Sequence, residues 1–141
     1  MILLDTKVIS EQFRAAPNEV AINWLNRQPI ETLYLSAMTV AELRAGVALM
    51  PAGKRKAALD ESIEHQLLPL FIGRVLPFDM ACTRSYAEVL ATVRKAGSGI
   101  EAADAVIAAI ALKDGLSAAT RDHSPFEAAG VKVINPWAKA E

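Results

Sequence analysis

The chain has 141 residues, 52% of them hydrophobic and 22% charged, with seven glycines and seven prolines. That is enough for one full core, and it excludes a disordered tail protein, a collagen-like repeat and a linker-dominated array. A net charge of −1 supplies no global basic field, so any nucleic acid must be held by a local patch or through bound metal ions. The single cysteine, Cys82, excludes an intramolecular disulfide framework and a cysteine-based metal cluster. His65 and His123 lie too far apart to read as a ligand pair.

Met1-Ile2-Leu3-Leu4 is a short apolar run ending in Asp5-Thr6, the pattern of a buried parallel strand whose C-terminal end meets water. Asn18 to Gln28, introduced by Pro17, carries Val20, Ile22, Trp24 and Leu25 at helical spacing. Glu31 to Leu35 reads as a second strand and leads into a helix from about Val40, with Val40, Leu43 and Val47 as its apolar stripe. After Pro51-Ala-Gly53 a polar-faced helix is expected from about Lys54. Val75 to Phe78 reads as a short strand, and Asp79 as the N-cap of a helix running to about Lys95. Beyond the loop Gly97-Ser98-Gly99, an alanine-rich helix is predicted over Glu101–Lys113 with Gly115 as its C-cap. Strands at Leu116–Thr120 and Val131–Ile134 follow. MILLDTK has no basic leader region, and the most apolar stretch, Ala102 to Leu112, is too short to span a bilayer, so a cytoplasmic protein without a membrane span is expected. Alternating strands and helices imply an α/β fold: one three-layer α/β/α domain over residues 1–141 with a central parallel sheet, binding ligands beyond the carboxyl ends of its strands.

Most of the sixteen acidic residues fit a solvated face: Asp60, Glu61 and Glu64 on one helix, and Glu11, Glu19, Glu31, Glu88, Glu127 and Glu141 without further signal. Asp104 does not fit, because it is the only polar residue between Ala102 and Leu112, and a helix apolar all round is buried. A lone buried carboxylate is costly unless paired or metal-bound; the alternative is a first-turn acid favoured by the helix dipole. Glu42 has a structural alternative too, since Thr39-x-x-Glu42 matches a capping box. Asp5 alone reads as a turn residue, and Asp122 alone as a cap. Together the four converge on one sheet edge, where two bare carboxylates about 4 Å apart repel by roughly 4 kcal/mol at an effective dielectric near 20. Such a cluster needs protons or cations. Oxygen-only ligands select Mg²⁺ or Mn²⁺, and such sites carry out metal-assisted phosphodiester hydrolysis.

Four blocks in order, LLDTxVIS, LSAxTVAELRxG, AADAxIAAxA and ATRD, with LPLFxGRxLPFD between them and NPW at the end, resemble PIN-domain proteins. The resemblance is to VapC-type toxins of bacterial type II toxin–antitoxin systems, most closely their FitB-like branch, and it spans essentially the whole chain. It implies a Mg²⁺-dependent endoribonuclease acting on single-stranded RNA. Asp5 and Asp104 would be core metal ligands, with Glu42 and Asp122 completing the quartet directly or through water, and Thr6 and Thr120 would be supporting hydroxyls. It also implies a homodimer, an antitoxin whose tail covers the site, and operator DNA bound only through that antitoxin. The family usually reads Asp-Thr-Asn after the first strand, whereas here position seven is Lys7. Its ammonium would partly replace a divalent ion or, alternatively, hold the scissile phosphate.

Arg44 and Arg121 are candidates for substrate phosphate, with surface arginine as the alternative. Lys54-Arg55-Lys56 reads as a solvated basic run, with RNA contact as the alternative, and His123 as an exposed loop histidine beside Asp122, with titration near the site as the alternative. Trp24, Phe71, Phe78 and Trp137 are expected in core or dimer packing, and Cys82 as a small core residue. A competing function is an inactive interaction module that forms a DNA-binding complex with its antitoxin. A phospho-acceptor receiver would need paired acids after the first strand, which are absent.

Overall fold

The computed structural model describes residues 1–139; Glu141 lies outside them. Five parallel strands, β1 (Ile2–Leu4), β2 (Leu33–Ser36), β3 (Val75–Leu76), β4 (Ser117–Ala119) and β5 (Val133–Ile134), form one sheet in the order β3-β2-β1-β4-β5. The register sets Leu3 against Tyr34 on one side and against Ala118 on the other. β1 is therefore central, and the chain winds outward from it first through β2 and β3, then through β4 and β5. The carboxyl end of β1 lies at the point where the winding reverses, which is where open parallel sheets bind ligands.

Among the described residues, seven α-helices cover the sheet: α1 (Thr6–Ser10), α2 (Glu19–Arg27), α3 (Ala37–Ala48), α4 (Lys54–Glu61), α5 (Met80–Lys95), α6 (Ala102–Asp114) and α7 (His123–Ala128). Side chains alternate across a strand, and the two neighbours Leu3 and Leu4 belong to different cores. Leu3 packs with Cys82, Val89, Ile107 and Phe126 from α5, α6 and α7. Leu4 packs with Val8, Leu43, Val47 and Phe71 on the opposite face. Two cores on two faces give the expected three layers.

Several local expectations change. The residues after β1 form α1 at once, because the Asp5 carboxylate accepts the Thr6 amide at 2.8 Å while Val8 and Ile9 become buried. α3 begins at Ala37 rather than near Val40, since Ser36 caps it by accepting from the Thr39 N–H at 3.0 Å. Glu42 is then the sixth helical residue and the Thr39–Glu42 capping box does not form. α4 continues through a wide π turn, Ser62–Leu67, and a 3₁₀ turn, Leu68–Phe71, which bury Ile63, Leu67 and Phe71. Phe71 is core as expected. Trp24 and Trp137 are half-buried against the second core, and Phe78 is exposed, edge-on to Tyr86 at 5.9 Å. Glu11 is the clearest correction. Instead of lying on a solvated face it is 3% exposed, taking Arg14 Nη1 at 3.2 Å and the Asn18 backbone N–H at 3.0 Å.

Candidate active site

A cleft of about 850 Å³ opens at the carboxyl edge of the sheet and is lined by Asp5, Glu42, Asp104 and Asp122, together with Thr6, Lys7, Glu101, Arg121 and His123. Each acid arrives by a different route. Asp5 follows β1 directly, and its own backbone N–H extends the ladder to the Ala119 carbonyl at 2.9 Å. Asp122 follows β4 after Thr120 and Arg121. Glu42 projects from α3, whose start is fixed by the end of β2. Asp104 sits in the first turn of α6, which runs back along the sheet into β4.

Asp5 is 4% exposed, and its carboxylate is tied at both oxygens, Oδ1 to the Thr6 N–H and Oδ2 to the Thr120 hydroxyl at 2.9 Å. Burial still carries its pKa above the usual carboxylate range, with the Thr120 and Thr6 hydrogen bonds pulling the other way. Thr120 is fully buried and also accepts the Asp122 N–H at 3.1 Å, so one hydroxyl positions two of the acids. Thr6 Oγ1 lies 2.6 Å from Glu42 Oε1 and 3.1 Å from Thr39 Oγ1, which in turn is 3.2 Å from Ser36 Oγ. A carboxylate only accepts and each hydroxyl has one proton. Thr6 therefore donates to Glu42, Thr39 to Thr6 and Ser36 to Thr39, a one-way chain that ends on Glu42.

Asp104 accepts no hydrogen bond among the described residues. Burial first, then the charges of Asp5, Asp122, Glu101 and Glu42, push its pKa up to about 6. Glu101 was not singled out by the sequence; it stands exposed at the N-terminus of α6 and adds to the negative field. The supporting hydroxyls of Ser36 and Thr39 were missed as well, although a serine directly ahead of an apolar run is a helix-start signal.

Lys7 is the counter-charge. Its ammonium bonds the Asp122 carboxylate, and that bond, followed by the fields of Asp122, Asp5 and Asp104, raises its pKa. Arg121 stands at the rim with its guanidinium 5.3 Å from the Trp137 ring centre. His123 lines the same rim and lies 3.5 Å from Glu127. Arg44 is not brought in: it forms a two-pronged pair with Glu64 at 2.7 and 3.1 Å, away from the cleft. Lys54 and Arg55 are exposed, and Lys56 donates to the Ala48 carbonyl at 3.3 Å.

The donor set around the cleft is entirely oxygen, the chemistry that Mg²⁺ and Mn²⁺ prefer. As they stand, no three Asp, Glu, His or Cys side chains among the described residues enclose a metal-sized position. The arrangement concentrates negative charge on open carboxylate lone pairs, partly offset by Lys7.

The PIN domain family profile matches residues 2–132. The plasmid stability protein StbB of Pseudomonas syringae pv. tomato is 62% identical over 137 residues, covering 97% of this chain and 99% of its own. The VapC ribonuclease Y4jK of Sinorhizobium fredii is 54% identical over 140 residues, with 99% and 100% covered. Toxin FitB of Neisseria gonorrhoeae is 52% identical over 137 residues, with 97% and 99% covered. The crystal structure of FitAcB from the same organism superposes with a TM-score of 0.94 over 97% of this chain and 99% of that one. A structure of FitAB bound to an IR36 DNA fragment reaches 0.97 at 49% identity, covering 100% and 99%.

Proposed function

The chain belongs to the PIN domain family, and from that premise we propose that it is the toxin of a toxin–antitoxin pair, a Mg²⁺-dependent endoribonuclease that hydrolyses RNA phosphodiester bonds in the acid cleft, with Mn²⁺ able to substitute. The observation that carries this reading is the convergence of Asp5, Glu42, Asp104 and Asp122 at the switch point of the sheet, where Asp104 is pushed up to about 6 by burial and by its acidic neighbours.

Asp5 and Asp104 would hold the ion, with Glu42 and Asp122 completing the site directly or through water. An ion held there would supply Lewis-acid activation of water and charge neutralisation at the phosphate. The chain's own residues set the stage for that chemistry. Thr120 and the Thr6 amide fix the Asp5 carboxylate, and the Ser36–Thr39–Thr6 chain aims Glu42. Arg121, backed by Trp137, offers a guanidinium to an RNA phosphate at the rim.

Relatives named as a toxin and a VapC ribonuclease, and a FitAB structure bound to DNA, support a partner antitoxin and a DNA-bound complex; to these we add an antitoxin tail over the cleft, operator DNA reached only through that antitoxin, and a homodimer acting in the cytoplasm. The Lys7–Asp122 pair favours one second reading, a weakly active module that works mainly in the DNA-binding complex.

The test is cleavage of labelled single-stranded RNA by the purified chain in Mg²⁺ and in chelator. Wild type should cut only with the ion, and Asp104→Asn or Glu42→Gln should lower the rate by about 100-fold or more. Glu42→Gln should also leave the melting temperature nearly unchanged, since a glutamine oxygen still accepts from Thr6. Cleavage that persists in chelator, or that survives both substitutions, would overturn the reading.

A further inference from the structure

Lys7 is a cation set directly against the acids of the cleft, and its placement is rigid at the root, with only the side chain reaching into the site. The α1 backbone is pinned by the Val8 and Ile9 amides donating to the Asp5 carbonyl at 3.0 and 3.3 Å, with both side chains buried. The Lys7 side chain, 59% exposed, extends from that anchor to the Asp122 carboxylate. Asp122 forms no other side-chain bond among the described residues and, despite standing at the start of α7, does not cap it. Asp104 is the opposite case, with no hydrogen-bond or ion partner among the described residues, so its lone pairs are open. Asp5 carries one hydrogen bond on each oxygen and keeps a lone pair on each.

We propose that Lys7 keeps Asp122 from direct contact with the ion and leaves it the water-mediated role, so that a divalent ion is held by Asp5 and Asp104 with Glu42, and more weakly than four unpaired acids would hold it. The inference rests on the metal-nuclease reading above and names which acids the ion meets in this chain. A divalent ion drawn to Asp122 would face the ammonium bonded to it, so the two cations compete for one carboxylate. Because the pair is partly exposed, water screens it, and the competition weakens binding without abolishing it.

The experiment is calorimetric titration of the metal-free full chain with Mn²⁺, in wild type, Lys7→Met, Asp122→Asn and the double variant. Methionine removes the charge without adding a ligand oxygen. Lys7→Met should bind Mn²⁺ about tenfold more tightly. Asp122→Asn should change the wild-type affinity by less than about threefold but reverse most of the gain in the Lys7→Met background. Unchanged affinity in Lys7→Met, or an equal loss from Asp122→Asn in both backgrounds, would overturn the inference while leaving the metal site standing. Absence of Mn²⁺ binding in all four would overturn the metal reading itself.

Discussion

Glu11 and Asp5 lie six residues apart and are almost equally hidden, at 3% and 4% exposure, yet they are held in opposite ways. Glu11 meets a guanidinium and a backbone amide: Arg14 and the Asn18 N–H between them occupy its oxygens. Asp5 meets hydroxyl and amide donors but shares its surroundings with Glu42 and Asp104, whose like charges repel its own. The first carboxylate is neutralised within the fold, whereas the second belongs to a pool of negative charge that Lys7 offsets only in part. Burial by itself therefore does not mark a functional acid. The sign of what surrounds it does.

Substitution should separate the two regions most strongly. Glu11→Ala leaves the Asn18 amide without an acceptor at the start of α2 and should cost about 1–3 kcal/mol, lowering the melting temperature by roughly 2–4 °C for each kcal/mol in a chain of this size. Asp104→Asn removes one charge from a repulsive cluster and should raise the melting temperature of the metal-free chain. The gain is about 1 kcal/mol once solvent screening of this half-exposed group is allowed for. Thermal melts of the two variants beside wild type check both, and equal destabilisation by the two would erase the distinction.

A smaller effect lies in pH. Asp104 binds its proton more tightly in the fold, with a pKa of about 6 against 3.8 for an ordinary aspartate. Between those values the folded chain therefore holds the extra proton, and the stability Asp104 contributes, complete below about pH 4, is lost as the pH rises through about 6. Melting temperatures of the metal-free protein across that window should fall more steeply in wild type than in Asp104→Asn. Parallel curves would mean that Asp104 is not under the pressure described.

Asp104 was readable in the sequence because a single acid in an alanine-rich helix breaks an otherwise unbroken pattern. Asp5 and Asp122 were readable because strand ends in a parallel sheet share an edge. Glu42 was harder: the Thr39 spacing suggested a cap, and only the earlier start of α3 at Ala37, capped by Ser36, moves Glu42 out of capping range and toward Thr6. α1 was missed because Thr6-Lys-Val-Ile-Ser10 is short and rich in β-branched residues, and it forms through the Asp5 cap and the burial of Val8 and Ile9. Glu11 was misplaced, and Arg44 was left between two readings of which the surface arginine holds, for a common reason. Their surroundings are fixed by how the chain folds back, around the Asn18 turn in one case and to Glu64, 20 residues away, in the other.

The comparison comes to its sharpest point in the response of the fold to a divalent ion. Ligand that binds only the native state raises stability by about 2.7 kcal/mol at one hundred times its dissociation constant. The decisive measurement is the melting temperature of wild type, Glu11→Ala and Asp104→Asn with and without saturating Mn²⁺. Wild type and Glu11→Ala should rise by the same several degrees from their different starting points, and Asp104→Asn should rise by little or nothing. A full Mn²⁺-induced rise in Asp104→Asn, or none in wild type, would contradict the claim that the pooled carboxylates form a metal site.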